Sequence, residues 1–519
     1  MLQLTPLYWF LACLPILSLL LLMLVFKWGG SKAGAFSWFL TILLSLLMFG
    51  AGFKVLAYAQ IRALMLTLDV LYIIWMALLF FHVSNEAGVI SKIGTHLNAL
   101  TQDRTLLGLI LGWIFTSFIQ GMGGFGVPVA VVAPLMIGVG FSPIQAVLIA
   151  GIGHGWAVNF GSMATSFQTM VAVTGLSGEV LAPDSAVFMG VACLTCGVLV
   201  GILSGGFKGM LKHSLLIVFL AGLMSVVQFL LATHHLWTLG ATMASLSGLL
   251  AVVGLLQLRK NHRGEKTEAV AGLSFGWVAF PYILLIGLAA CVFMIPSVNE
   301  LVNRIAFSLP IPEVSTSLGV VTAAGETRAI SLFGHPGAIL AVASLLSLWV
   351  YARLGVYSPG YVVRIWSNVA KGAVSSSLGI LCMVSMATVM SQSGMTQFLA
   401  LGLSANISAA YYPLVAPFIG MLGAFITGSN NNANVLFAGL QMQTANLLKI
   451  PVTLILGSQT AGGSLGSMFA PAKVIVGCST AGLSGQEGKV MGKTILYGII
   501  PVIVVAVFGY IWLRLRGGV

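Results

Sequence analysis

The chain has 519 residues, of which 59% are hydrophobic and 7% charged, with 23 Lys plus Arg against 11 Asp plus Glu. Soluble domains carry about 25% charged residues, so this much apolar surface needs a bilayer around it, and a soluble enzyme is excluded. The basic excess is no nucleic-acid footprint, since no basic patch is long enough; it fits the Lys and Arg bias of cytoplasmic loops.

Apolar runs open the chain near 7–28, 36–53 and 64–83, each close to the ~20 residues that cross a bilayer. The first reads as a spanning helix, being too long for a cleavable signal and lacking a charged leader. Asp69 interrupts the third, seven residues after Arg62 and on the same helix face. An acid at membrane depth is a functional candidate; a structural pair near an interface is the competing reading. The amphipathic stretch from Asn85 to Arg104 is expected to lie at a membrane surface.

Further runs cover 105–120, 127–141, 144–160, 185–205, 212–232, 237–257 and 275–295. Cys193 and Cys196 sit inside an ordinary spanning pattern and read as small helix residues, and the six cysteines imply no disulfide framework. Arg259, Lys260, Arg263 and Lys266 mark a cytoplasmic loop, and Arg514 and Arg516 place the last residues on that same side. A polar linker with Pro296, Pro310 and Pro312 follows, where Arg328 reads as a solvated loop residue, with attraction of anions as the alternative. Runs near 335–352, 372–391, 411–427, 451–470 and 492–513 complete twelve to fourteen expected spans.

Two regions differ from plain spans. Neither Thr105–Gly178 nor Gly372–Leu448 contains Asp, Glu, Lys or Arg, yet both are broken by polar backbone. The first break holds Gly121, Gly123, Gly124, Phe125, Gly126 and Pro128; the second holds Gly428, Ser429, Asn430, Asn431, Asn432 and Asn434. Irregular backbone at that depth must be buried in protein or line a wet cavity.

The breaks correspond. Phe118–Gly121 resembles Phe425–Gly428 at an offset of 307, Leu148–Gly151 resembles Leu454–Gly457 at 306, and Gly161–Met163 repeats as Gly466–Met468 at 305. Three matches in order predict duplicated halves, and interrupted segments at matching places point to a secondary transporter. The resulting organisation is 1–84 N-terminal helices, 85–205 first repeat core, 206–333 central helices and linker, 334–390 scaffold helices, 391–491 second repeat core and 492–519 C-terminal helix.

Half-helix N-termini at the breaks would offer N–H groups to a carboxylate. Candidate substrate ligands are Gln120, Gly121, Gly124, Phe125, Gly126 and Pro128 at the first break. Ser429, Asn430, Asn431 and Asn434 are the candidates at the second. Gln459, Thr460 and Gly463 follow on the next helix, and Asn159 shares the neighbourhood of His154. For each, close packing through small residues or interhelical amide bonding is the alternative. His154 and Asp69 are the proton-coupling candidates, because histidine titrates near neutral pH; a structural core histidine is the alternative. The eleven acids are scattered and form no catalytic or metal-ligand cluster, which argues against a membrane-embedded enzyme. No metal and no cofactor is expected.

The segments LTQDRTLLGLILGWIFTSFIQGMGGFGVPVA, GAFITGSNNNANVLFAGLQ and TAGGSLGSMFAPAKVIVGCSTAGLSGQEG resemble the L-lactate permease family, which includes glycolate permeases. The resemblance implies an all-α polytopic protein of two inverted repeats with broken or re-entrant helices, working as an elevator in a bacterial inner membrane. It also implies proton-linked uptake of a 2-hydroxymonocarboxylate such as lactate or glycolate. Partners are then a small organic anion and the lipid bilayer, with a homodimer left open and no nucleic acid. This chain departs from the family at Gln120, where an acid is common, at Asn430, where Asp is common, and at Ser467, where Lys is common. Those changes keep sodium coupling and a different organic anion open as the alternative.

Overall fold

The computed structural model describes residues 5–26, 28–89, 101–122, 126–262, 275–327, 329–483 and 486–517. The candidates Gly124 and Phe125, the loop residues Arg263, Lys266 and Arg328, and most of the Asn85–Arg104 stretch lie outside the described residues.

The chain is helical nearly throughout. Helices α1 (Pro6–Leu24), α2 (Gly30–Leu47) and α3 (Phe53–Glu86) open it. Next come α4 (Arg104–Met122), α5 (Val127–Gly138), α6 (Pro143–Gly153), α7 (Thr165–Thr174) and α8 (Gly178–Lys212). Helices α9 (Ser214–Thr233), α10 (Gly240–His262), α11 (Phe275–Met294) and α12 (Pro296–Asn303) lead to the linker. Beyond it run α13 (Pro336–Arg353), α14 (Tyr361–Gln392), α15 (Met395–Asn406) and α16 (Tyr412–Thr427). The last are α17 (Asn430–Leu447), α18 (Val452–Met468), α19 (Pro471–Thr480) and α20 (Glu487–Leu515). Among the described residues nine helices are long and apolar enough to cross a membrane. The chain is an all-α polytopic membrane protein.

Two expected spans are shorter than their apolar runs. Helices α5 and α6 have 12 and 11 residues, so each reaches only about 18 Å against the ~30 Å of a hydrocarbon core. Helix α6 is buried from Ala146 to Gly153, and α5 along the face that carries Pro128, Val129, Val132, Ala133 and Met136, so much of their apolar surface packs on protein, which hydropathy cannot tell from lipid contact.

The order of elements in α4 to α8 recurs in α16 to α20. Helices α7 and α19 are both ten residues long and begin 306 residues apart. Packing is reciprocal: α17 lies on α7 as α5 lies on α19, and α18 lies on α8 as α6 lies on α20. Likewise α2 packs on α14 and α13 on α3, with α3 and α14 in contact between them. The halves differ after the third helix, where α6 ends at Gly153 and the chain unwinds, whereas α18 continues to Met468. Helices α16 and α18 cross with backbones in contact. A Cβ on Gly462 would stand 1.9 Å from the Pro417 carbonyl oxygen, and one on Gly466 2.4 Å from that of Met421.

The polar linker folds as a nested hairpin of two-residue strands. β1 (Ala306–Phe307) pairs with β6 (Ile330–Ser331), β2 (Pro310–Ile311) with β5 (Gly325–Glu326), and β3 (Val314–Ser315) with β4 (Val321–Thr322), all antiparallel. Its tip docks where α2 gives way to α3, through Ser317 N–H donating to the Gly50 carbonyl at 2.9 Å.

One expected side assignment is corrected. Asp103, before α4, accepts from Lys212 Nζ at 2.7 Å and lies 3.1 Å from His213 Nε2, at the C-terminal end of α8. Asp184, near the other end of α8, pairs with Arg516 at 2.7 Å. Helices α9 and α10 run up and back from Lys212, so Arg259 and Lys260 at the end of α10 share the Lys212 side. Arg516 therefore lies at the opposite end of α8, which runs about 42 Å from Gly178 before it kinks at Gly206. Basic residues alone misjudge the side here, because Arg516 is held by Asp184 at that end of α8.

Candidate functional site

The second break is built by glycine geometry. Gly428 ends α16 in the left-handed region (φ 76), its N–H closing onto the Ala424 carbonyl at 2.9 Å. Ser429 is extended, and α17 then starts with no side chain capping its first turn. Free N–H groups and a partial positive charge therefore face outward from Asn430. A cavity of about 1100 Å³ lies before them, lined by Thr427, Gly428, Ser429, Asn432, Lys32 and Lys473.

Lys473, in the first turn of α19, is the charge that the sequence reading passed over. It is 6% exposed, and its Nζ donates to Ser467 Oγ at 3.0 Å, which in turn donates to the Ser464 carbonyl at 2.9 Å. Among the described residues no carboxylate stands within ion-pair distance of it. A buried ammonium without a counter-charge is costly, and two helix N-termini add positive potential around it. The arrangement is complementary to an anion. The signal was present: Lys473 is the sole charged residue between Lys449 and Glu487.

The first break abuts the same lysine. Gly126, left-handed at φ 88, precedes α5, and a Cβ built on it would lie 3.9 Å from Lys473 Cγ. Pro128 is buried in the first turn of α5. The carbonyls of Gln120 and Gly121 accept from Ser162 N–H (2.9 Å) and Met163 N–H (3.3 Å) in the unwound segment after α6. Ser162, Met163 and Ala164 hold φ of 47, 56 and 59 in succession. Left-handed non-glycine residues cost about 1–2 kcal/mol each, so surrounding contacts must hold this strain, as they do at many functional sites. Gly121 has a packing reason too, because a Cβ there would sit 2.8 Å from the Thr242 Cα of α10.

A polar network joins the halves. Asn430 Nδ2 donates to Thr460 Oγ1 (3.1 Å) and Ser464 Oγ (3.0 Å), and Asn434 Nδ2 to the Ser166 carbonyl (2.9 Å) and Thr460 Oγ1 (3.0 Å). Gln459 Nε2 donates to Asn434 Oδ1 (2.9 Å) and Thr460 Oγ1 to Asn159 Oδ1 (2.8 Å). Ser166 Oγ donates to Asn431 Oδ1 (2.5 Å). Gly463 admits Asn430, whose Oδ1 would lie 2.0 Å from a Cβ there. Several buried atoms have no hydrogen-bond partner: Gln120 Oε1, His154 Nε2, Asn159 Nδ2, Asn430 Oδ1, Asn431 Nδ2 and Gln459 Oε1. Buried polar groups are seldom left so.

His154 is fully buried at the end of α6, with Nδ1 2.7 Å from the Ala150 carbonyl. Asp69 stands apart. Its Oδ1 is 3.0 Å from His335 Nε2, whose Nδ1 accepts from Gly337 N–H at 3.2 Å. The Nδ1 bond puts the ring proton on Nε2, facing the carboxylate. Arg62 instead donates to the Ala323 carbonyl at 3.3 Å.

A family model described as L-lactate permease matches residues 9–515. An L-lactate permease of Streptococcus iniae is 28% identical over 85% of this chain and 91% of its own length. A glycolate permease of Escherichia coli K12 is 24% identical over 94% and 92%, and an L-lactate permease of the same strain 26% identical over 84% and 83%.

Proposed function

Because the chain belongs to the L-lactate permease family, we propose that it is a secondary transporter importing a small 2-hydroxymonocarboxylate, lactate or glycolate, together with a proton. The observation that carries this reading is Lys473: a buried, uncompensated ammonium beside an uncapped helix N-terminus in a cavity. The substrate carboxylate takes the Lys473 ammonium and the first-turn N–H groups of α17. Its hydroxyl meets the unpartnered amide atoms of Asn430 and Asn431. The proton travels on His154, or on Asp69, or on the substrate acid itself.

In this reading the halves are inverted repeats in a bacterial inner membrane. The core helices α4 to α8 and α16 to α20 move as an elevator against a frame of α2, α3, α13 and α14. The polar network tying Asn159 and Ser166 to Asn434 and Thr460 supports motion of the core as one body. The alternative of another organic anion with sodium coupling is favoured by the uncharged, unpartnered oxygens of Gln120, Asn430 and Gln459. Uptake of labelled L-lactate and glycolate into proteoliposomes, under an imposed proton or sodium gradient, decides between them. Accumulation driven by the proton gradient and abolished by a protonophore is the expected result. Sodium-driven accumulation, or uptake of neither acid, overturns the proton-linked reading.

A further inference from the structure

A second cavity, of about 650 Å³, lies under the nested hairpin, lined by Arg62 of α3, Glu326 of β5, Gln392 of α14, Gln397 of α15 and Gln443 of α17. It follows the first cavity end to end. Along α14 Met383 lines one and Val384 the other, and along α17 Asn432 lines one and Val435 the other. Buried Met383, Val384, Val435 and Leu436 form one apolar cluster at that junction. From Asn430 to Gln443 the helix advances about 20 Å, so the second cavity lies toward the hairpin, away from the Asn430 end of α17.

The second cavity has unused polar capacity. Arg62 Nε is buried without a partner, and the guanidinium spends one Nη2 bond on the Ala323 carbonyl. Gln392 is 6% exposed, and its Oε1 has no partner; nor has Oε1 of Gln443. Among the described residues no carboxylate lies within ion-pair distance of Arg62. Glu326 at the rim accepts from Ser308 Oγ at 2.7 Å. A guanidinium matches a carboxylate with two parallel bonds, and a glutamine oxygen accepts from a hydroxyl.

We propose that Arg62, Gln392 and Gln443 form a second site for a small hydroxycarboxylate, a waiting site on the hairpin side, from which the substrate passes to Lys473. The role in transit rests on the transporter reading above. Binding of labelled L-lactate to the purified full chain separates the two ideas. The wild type binds at two sites, and Arg62→Gln removes the weaker, salt-sensitive one. Lys473→Gln removes the other, and the double variant binds none. In oriented proteoliposomes Arg62→Gln raises KM about tenfold for entry from the hairpin face and leaves KM from the other face unchanged. Single-site binding that Lys473→Gln abolishes and Arg62→Gln spares overturns the waiting site alone. So does an equal change of KM on both faces. No binding by the wild type overturns the lactate reading and the waiting site together.

Discussion

Replacing Lys473 with glutamine tests the anion site most directly. Glutamine keeps a polar end of similar bulk but is one atom shorter, so the charge is lost together with the 3.0 Å contact to Ser467 Oγ. A hydrogen bond to a charged group is worth about 1.5–3 kcal/mol, and each 1.4 kcal/mol is tenfold in affinity. The burial of Lys473 puts its contact with a carboxylate at the upper end, so KM should rise about 100-fold. Stability should move the other way. Removing a buried cation that has no counter-ion relieves a desolvation cost, so the variant should unfold at the same temperature as wild type or higher. Initial rates in proteoliposomes and thermal unfolding in detergent, measured on one preparation, separate the two effects. A KM within twofold of wild type would refute the assignment, and a marked fall in unfolding temperature would show that the lysine is a structural tether.

Asn431→Ala deletes the 2.5 Å bond from Ser166 Oγ, and Asn430→Ala deletes two bonds to α18. Each should cost about 1–3 kcal/mol in transport, seen as a raised KM at normal membrane abundance, and unchanged kinetics in both would assign the amides to interhelical bonding. His154→Gln should weaken the acid stimulation of uptake more than it weakens counterflow, which moves no net proton; an unaltered pH profile would make the histidine structural and turn attention to Asp69→Asn. At Asp103 partial burial pushes the carboxyl up, but Lys212, the Leu106 N–H and His213 outweigh it and hold it down to about 2. A depressed carboxylate stabilises the fold above its unfolded pKa, about 4, and loses that contribution as pH falls toward 2. Unfolding temperatures should therefore drop more steeply between about pH 4 and 2 in wild type than in Asp103→Asn, and parallel curves would show that the cluster contributes nothing.

Much of the fold was legible because burial in lipid and the helical repeat both write themselves in hydropathy. The polytopic class follows from 7% charge, and two of the segment pairs matched near an offset of 306 lie in helices of the same order, Phe118–Gly121 with Phe425–Gly428 and Leu148–Gly151 with Leu454–Gly457. What hydropathy could not convey is the difference between a wall of lipid and a wall of protein. Helices α5 and α6 are apolar enough to span and too short to do so, and the Lys and Arg bias put Arg516 on the wrong side because a basic residue can also be held by an acid such as Asp184. The β hairpin was missed for a different reason. Its two-residue strands are too short to alternate, and long-range pairing such as Ala306 with Ser331 leaves no local periodicity.

The site was legible where it depends on composition and illegible where it depends on distance. Glycines and amides at membrane depth marked both breaks, since such residues are costly in lipid unless something uses them. Lys473 lies outside both charge-free stretches, so their composition does not point to it. Its meaning comes only from tertiary placement: a Cβ on Gly126 at 3.9 Å on one side, and the cavity of Ser429 and Asn432 on the other. An isolated charge in an apolar run was nonetheless the better clue. A neutral break can be held by packing alone, whereas a buried ammonium must be compensated, and here the described residues supply no carboxylate to do it. A carried carboxylate would compensate this lysine while bound and release that compensation when it leaves. The loaded and empty carriers would then differ in electrostatic energy at the place where the two halves meet, which is the property a transporter needs if substrate is to bias its motion.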